Sequence, residues 1–129
     1  QPNLETYKLE VQDNTIVNPK TDIEYIYFTI DDEHKGKELI IGDKFMSKSK
    51  TVKQITFDSS INIVSIGNKF LYKSSIEYLT INSFVNLLYI GDNFLHKCKN
   101  LLVFNMDELE KCNAHGYNFI TKCTNLIEY

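Results

Sequence analysis

The side chains best suited to chemistry gather in the C-terminal third of the chain, starting at IGDNFLHKCKNL, residues 90–101. Cys98, Cys112, His115 and Cys123 include all three cysteines. Thiolate sulfur and imidazole nitrogen are zinc ligands, and Cys112-x-x-His115 has ligand spacing. A cysteine near a histidine is also the material of a nucleophile and its base. No Gly-rich phosphate loop, G-x-S-x-G or H-E-x-x-H accompanies them. His34 sits in the acidic-basic stretch DDEHKGKE, and neither it nor His96 has a nucleophile at a recognisable spacing. Whether Cys98, Cys112, His115 and Cys123 form a site depends on the elements that carry them.

Those elements repeat. Gly42, Gly67, Gly91 and Gly116 lie 25, 24 and 25 residues apart. Each is followed at a fixed offset by Phe45, Phe70, Phe94 or Phe119, then by Met46, Leu71, Leu95 or Ile120. A lysine comes next in every copy (Lys48, Lys73, Lys97, Lys122), then a small residue (Ser49, Ser74, Cys98, Cys123). The other half of the unit is L-x-x-L-x-L, with its last two apolar residues at strand spacing. Its copies are Val52, Ile55, Phe57; Ile76, Leu79, Ile81; and Leu101, Phe104, Met106. Upstream, Tyr25, Phe28 and Ile30 read in the same register.

Register accounts for the reactive residues. Cys98 and Cys123 share a position with Ser49 and Ser74, Cys112 aligns with Ile63 and Leu87, and His115 aligns with Ile41, Ile66 and Ile90. All four are expected in or near a core, so no metal site, cofactor or catalytic residue is expected. A Cys98–Cys123 disulfide between adjacent turns is geometrically conceivable; buried thiols are the expected state. His96 aligns with Ser47, Tyr72 and Thr121, a variable slot expected to face solvent.

Composition narrows the partner class. The chain has 129 residues, 43% apolar, enough for one domain with a core. Net charge is -3 and every basic residue is lysine, so nothing global favours nucleic acid and no guanidinium fork is present for bidentate phosphate binding. No apolar run approaches the roughly 20 residues that span a bilayer, and no membrane insertion is expected in this segment. The opening QPNLETYKLE is polar, with no signal-peptide pattern, and there is no N-x-[ST] sequon.

L-x-x-L-x-L at this period is a leucine-rich-repeat pattern. The full unit resembles the BspA-like, or Treponema pallidum type, leucine-rich repeats, whose unit runs I-G-x-x-A-F-x-x-C-x-x-L-x-x-I-x-I. IGDNFLHKCKNLLVFNM agrees at Ile90, Gly91, Cys98, Leu101, Phe104 and Met106. It departs where the Ala-Phe pair becomes Phe94-Leu95. The resemblance covers residues 25–129. It implies an α/β leucine-rich-repeat solenoid of about four to five turns with a parallel sheet. Residues 1–24, with Tyr7, Leu9 and Val11 alternating before a turn-like QDN, are expected to form an N-terminal β cap. The glycine is expected at a tight bend, and Phe with its apolar neighbour on a short helical turn behind the sheet. The last copy stops in mid-strand at Leu126 and Tyr129, so further repeats or a C-terminal cap are expected beyond Tyr129.

The resemblance also implies a non-enzymatic module that binds protein or glycan, at a cell surface or secreted, in adhesion. The alternative is a cytoplasmic interaction scaffold, which free cysteines and missing sequons suit. On the concave sheet face, three outward ladders are expected: Tyr27, Gln54, Tyr78, Val103; Thr29, Thr56, Thr80, Asn105; and Asp31, Asp58, Asn82, Asp107. Tyr78 with Leu102 and Val103 makes an apolar patch rimmed by polar groups, an interface signature. Lys48, Lys73, Lys97 and Lys122 form a second candidate, a basic stripe suited to a sulfated glycan or other polyanion, with Asp43 and Asp92 as its nearest counterions by sequence.

Overall fold

A computed structural model describes residues 3–80, 82–104 and 109–127. The chain is a parallel β-solenoid of about four turns with almost no helix. Two sheets run along it. The first takes β1 (Glu5–Lys8), β4 (Tyr25–Thr29), β6 (Gln54–Phe57) and β8 (Tyr78–Thr80), stacked in that order. The second takes β2 (Val11–Gln12), β3 (Thr15–Ile16), β5 (Glu38–Ile41), β7 (Asn62–Ile66), β9 (Tyr89–Ile90) and β10 (Ala114–His115). Every pairing is parallel except the β2–β3 hairpin, whose turn places Asp13 and Asn14 at positive φ. Residues 5–16 thus extend the first sheet by one strand and the second by two.

Strand alternation builds the interior. Ile26, Phe28, Ile55 and Phe57 are fully buried on the inner face of the first sheet. Leu39, Ile41, Ile63 and Ile66 do the same for the second. The spacing of Ile63 and Ile66 breaks strict alternation, and the register shifts there, a bulge that keeps both side chains inside. Between the sheets run two columns of phenylalanine. Phe45, Phe70, Phe94 and Phe119 stack nearly face to face, with centroids 5.2–5.3 Å apart and planes 11–12° apart. Phe28, Phe57, Phe84 and Phe104 meet them at steeper angles from the other side.

The segment after each glycine is not the short helical turn that was expected. The 3-10 turns Asp32–His34 and Asn82–Phe84 lie elsewhere. Instead φ is positive at every second residue: Lys44, Met46, Lys48; Lys69, Leu71, Lys73; Asn93, Leu95, Lys97; Asn118, Ile120, Lys122. This alternation flips successive peptide planes. The amides of Lys48, Lys73 and Lys97 reach forward to the carbonyls of Tyr72, His96 and Thr121 at 2.6–2.9 Å. Those of Leu71, Leu95 and Ile120 reach back to Phe45, Phe70 and Phe94 at 2.8–2.9 Å. A helix would consume these groups within its own turn; here they fasten one turn to the next. Left-handed backbone costs roughly 1–2 kcal/mol per non-glycine residue, which inter-turn hydrogen bonding and burial must offset.

The glycines answer to close approach, not to φ. A Cβ on Gly67, Gly91 or Gly116 would lie 2.8–3.0 Å from backbone atoms of the preceding turn. Side chains just after the glycines seal the same seam. Asp43 Oδ1 accepts from the Asn68 amide, Asn68 Oδ1 from Asp92 and Asp92 Oδ1 from Tyr117, at 2.7–2.9 Å. Among the described residues no helix is long and apolar enough to cross a membrane.

Candidate functional site

The outer face of the first sheet carries most of the expected binding residues, with one correction. Tyr27 does not stand in line with Gln54. Backbone pairing joins Tyr25 to Gln54 and Tyr78, with Tyr78 bridged to Val103, and joins Tyr27 to Thr56 and Thr80. The first turn is therefore displaced by two residues from the expected register. Its inward residues are Ile26, Phe28 and Ile30; Tyr25, expected inward with Phe28 and Ile30, is the one that pairs with outward Gln54 instead. The cause is the even period of a strand: Ile26, Phe28 and Ile30 all alternate, so a shift of two keeps an apolar face inward. The loop through Asp32–His34 absorbs the difference.

On that face Tyr78 is 44% exposed and Val103 37%. Gln54, Thr56 and Leu102 are half-buried and Thr80 is exposed. Thr56 Oγ1 donates to Thr80 Oγ1 at 3.4 Å, continuing the threonine ladder between turns. Asn105 and Asp107 lie outside the described residues, as does the Asn82 side chain. The Tyr27 hydroxyl donates to Asp58, which also accepts from the Ser60 hydroxyl and amide. Ser60 and then Tyr27 hold the Asp58 carboxyl below its ordinary range, and Asp58 in turn raises the Tyr27 phenol. Tyr27 is thereby committed to a structural contact at one end of the ladder.

A second apolar strip escaped the sequence reading. On the outer face of the second sheet Ile40, Leu88 and Tyr89 are exposed, with Ser65 between Ile40 and Tyr89 in the ladder. The signal was present in LIIG and LLYIG, where an apolar residue fills the outward slot. It reads as core because a single sheet was expected.

The cysteines and histidines do not converge. Cys98 is buried and donates to the Leu71 carbonyl at 2.9 Å; Cys123 donates to Leu95 at 3.1 Å. All three cysteines are free thiols. Burial pushes the Cys98 thiol up to about 11 and raises Cys123 as well, the opposite of what a thiolate nucleophile or ligand needs. Cys112 Sγ turns to the Ala114 carbonyl, and the exposed His115 ring stacks on Phe119 at 4.1 Å. Elsewhere Asp31, Glu33 and His34 bring ligand atoms within 4.8 Å of one another. His34 Nδ1 is already engaged by Asp31 at 2.5 Å, and that hydrogen bond holds Asp31 below its ordinary value.

His96, expected in solvent, is buried at 7% exposure. It stacks on Tyr72 of the turn below, planes 14° apart, and shares a 2.5 Å hydrogen bond with Thr121 of the turn above. A slot that looks variable along the sequence thus brings Tyr72, His96 and Thr121 of three successive turns into contact. Desolvation, then the charges of Lys97 and Lys122, hold the His96 imidazole below its ordinary range. The neutral ring is thus the folded form. A group lowered on folding contributes stability that is complete above its unfolded pKa, about 6.5, and is lost as pH falls toward the folded value. The melting temperature is expected to drop between pH 7 and pH 5, and His96→Gln to flatten that drop. A slope unchanged in the variant would exclude His96 as its source.

The four ladder lysines stand one above another with positive φ, and Lys73 Nζ lies 5.2 Å from the Tyr72 ring centroid. Partial desolvation pushes the Tyr72 phenol up, but hydrogen bonding and charge from Lys73, with Lys97 and Lys69, outweigh it and lower the group. Asp43 and Asp92 spend a carboxylate oxygen each on backbone amides, and no ion pair joins them to these lysines among the described residues. No family model, curated protein or solved structure matches this chain.

Proposed function

We propose that this chain is a non-enzymatic binding module of the BspA-like leucine-rich-repeat type, recognising protein or glycan through its repeat surface in cell-surface adhesion. The observation that carries the reading is the Tyr78–Val103 pair. These two large apolar side chains sit opposite each other on adjacent turns, exposed, with Gln54, Thr56 and Thr80 as a polar rim. Such a patch on a rigid sheet suits a contact centred on an aromatic anchor. The I-G…F…[SC]…L-x-x-[IF] unit is what links the chain to the BspA-like type. Free Cys98, Cys112 and Cys123 favour a second reading, a scaffold in a reducing compartment.

Capture from extracellular matrix and from cell lysate, side by side, separates the two readings. Tyr78→Ala is expected to weaken the captured interaction about tenfold, in the range of a modest hot spot. Its melting temperature should stay close to wild type, since the side chain is largely exposed. Equal capture by wild type and Tyr78→Ala would exclude this face.

A further inference from the structure

We infer that the lysine-bearing side of the solenoid is a second binding site, separate from the Tyr78 face, built for an unbranched sulfated polysaccharide. A groove of about 800 Å³ opens there, within the size range of ligand sites. Lys50, Lys73, Lys97, Lys99 and Lys122 line it, with Asn100 and Thr124 among the remaining polar residues, and no carboxylate contributes to its wall. The geometry comes from the repeat. One lysine column stands six residues after each glycine and a second, broken column, Lys50 and Lys99, stands eight after. Between them run the small residues Ser49 and Ser74, and the missing bulk there makes the channel. Lys48 of the expected stripe does not line the groove, and Lys50 and Lys99, which were not expected, do.

The chemistry of the lining selects among polyanions. Successive turns stand about 4.8 Å apart, so four turns present charges along about 14 Å, the reach of a short linear oligosaccharide. The cations are lysines, point charges that suit sulfate and lack the planar fork matched to phosphate. Serine, threonine and asparagine offer donors and acceptors to sugar hydroxyls. The wall holds no aromatic ring on which a base could stack, and stacking supplies much of single-stranded nucleic-acid binding. The chain's net charge of -3 means that attraction must come from this groove and not from the whole molecule.

The test is titration of a fluorescent heparin octasaccharide, read by anisotropy. Binding is expected at 50 mM salt and should weaken about 20- to 50-fold at 200 mM, as release of three to four counterions predicts for a linear polyanion. Lys73→Gln with Lys97→Gln should cost tenfold or more, and Lys50→Gln with Lys99→Gln, at positions of ordinary φ, should do likewise. Lys20→Gln with Lys37→Gln removes the same charge from outside the groove and should change affinity less than twofold. Tyr78→Ala should bind the octasaccharide as wild type does, which keeps this site distinguishable from the sheet face. Equal losses from the groove and control pairs, equal binding of desulfated chain, equal competition by single-stranded DNA of matched charge, or no binding at 50 mM salt would each overturn the assignment.

Discussion

Gly91→Ala is expected to destabilise the fold by about 3–5 kcal/mol, while Gly42→Ala leaves it almost unchanged. The two glycines hold the same place in the repeat, and neither has a positive φ, so backbone freedom cannot separate them. Space does. A Cβ on Gly91 would lie 2.8 Å from the Gly67 carbonyl carbon and 2.9 Å from the Asn68 nitrogen. Both are backbone atoms, which no rotamer change can move. Relief requires the turns to part, and parting strains the Gly91 N–H to Ile66 carbonyl bond at 2.9 Å and the Asp92 N–H to Asn68 Oδ1 bond at 2.8 Å. Overpacking of about 1–3 kcal/mol and two weakened hydrogen bonds of about 1 kcal/mol each give the range. On Gly42 the nearest atom would be Thr15 Cγ2, a side-chain methyl at 3.6 Å. There alanine meets ordinary contact and gains about 0.4–1 kcal/mol from a stiffer unfolded chain. Thermal melts of the two variants decide it: a shift of about 10 °C or more for Gly91→Ala is expected. Coincident melts would show that the turns are less closely stacked than these distances require.

Phe94→Ala is expected to cost about 3–5 kcal/mol, the ordinary range for an emptied aromatic core site. Phe94 is fully buried, stacked between Phe70 at 5.2 Å and Phe119 at 5.3 Å, and meets Phe104 edge-on at 6.0 Å. Its removal cuts both face-to-face ring contacts of one repeat. In a solenoid, stability is a sum of nearest-neighbour terms, so the loss should fall unevenly. Amide exchange at Gly116 and Ile120, whose N–H groups bond back to Ile90 and Phe94, should accelerate well before exchange at Asp58 and Gly67, which bond within earlier turns. Phe119→Ala, which removes one phenylalanine stack, with Phe94, an edge contact with Phe104 at 6.5 Å and the His115 stack, should cost less. Uniform acceleration along the chain in Phe94→Ala would mean that the turns unfold as a single unit.

The candidate surfaces were legible to different depths. Tyr78, Thr80 and Val103 could be placed outward from sequence because the interval from strand to the next glycine is constant across the later turns: Gln54, Tyr78 and Val103 each stand 13 residues before Gly67, Gly91 and Gly116. Tyr27 could not, because the first turn has a loop of different length and its alternation tolerates a slip of two. The lysine column followed directly from the repeat. The groove beside it did not, since a channel is a relation between two columns and the small residues separating them. His96 was misread for a related reason. Its slot holds Ser47, Tyr72, His96 and Thr121, which share no chemistry along the chain, yet Tyr72 and Thr121 meet His96 from the two neighbouring turns once they stack.

What the amino-acid sequence determined by itself is the period, the solenoid, and the residues that face inward in the turn from Ile90 to Leu101: Ile90, Phe94, Leu95, Cys98 and Leu101 are all buried. Those follow from local apolar spacing, which survives any choice of neighbour. What only the tertiary structure decided is where each peptide group finds its hydrogen-bond partner. That choice produced the second sheet, the first-turn register and the sign change of φ at alternate residues after each glycine. Lysine, leucine and isoleucine do not favour positive φ, and only Asn93 and Asn118 hint at it. The conformation exists because amides and carbonyls of adjacent turns must meet across a fixed spacing, and that spacing is a property of the stack rather than of any one repeat.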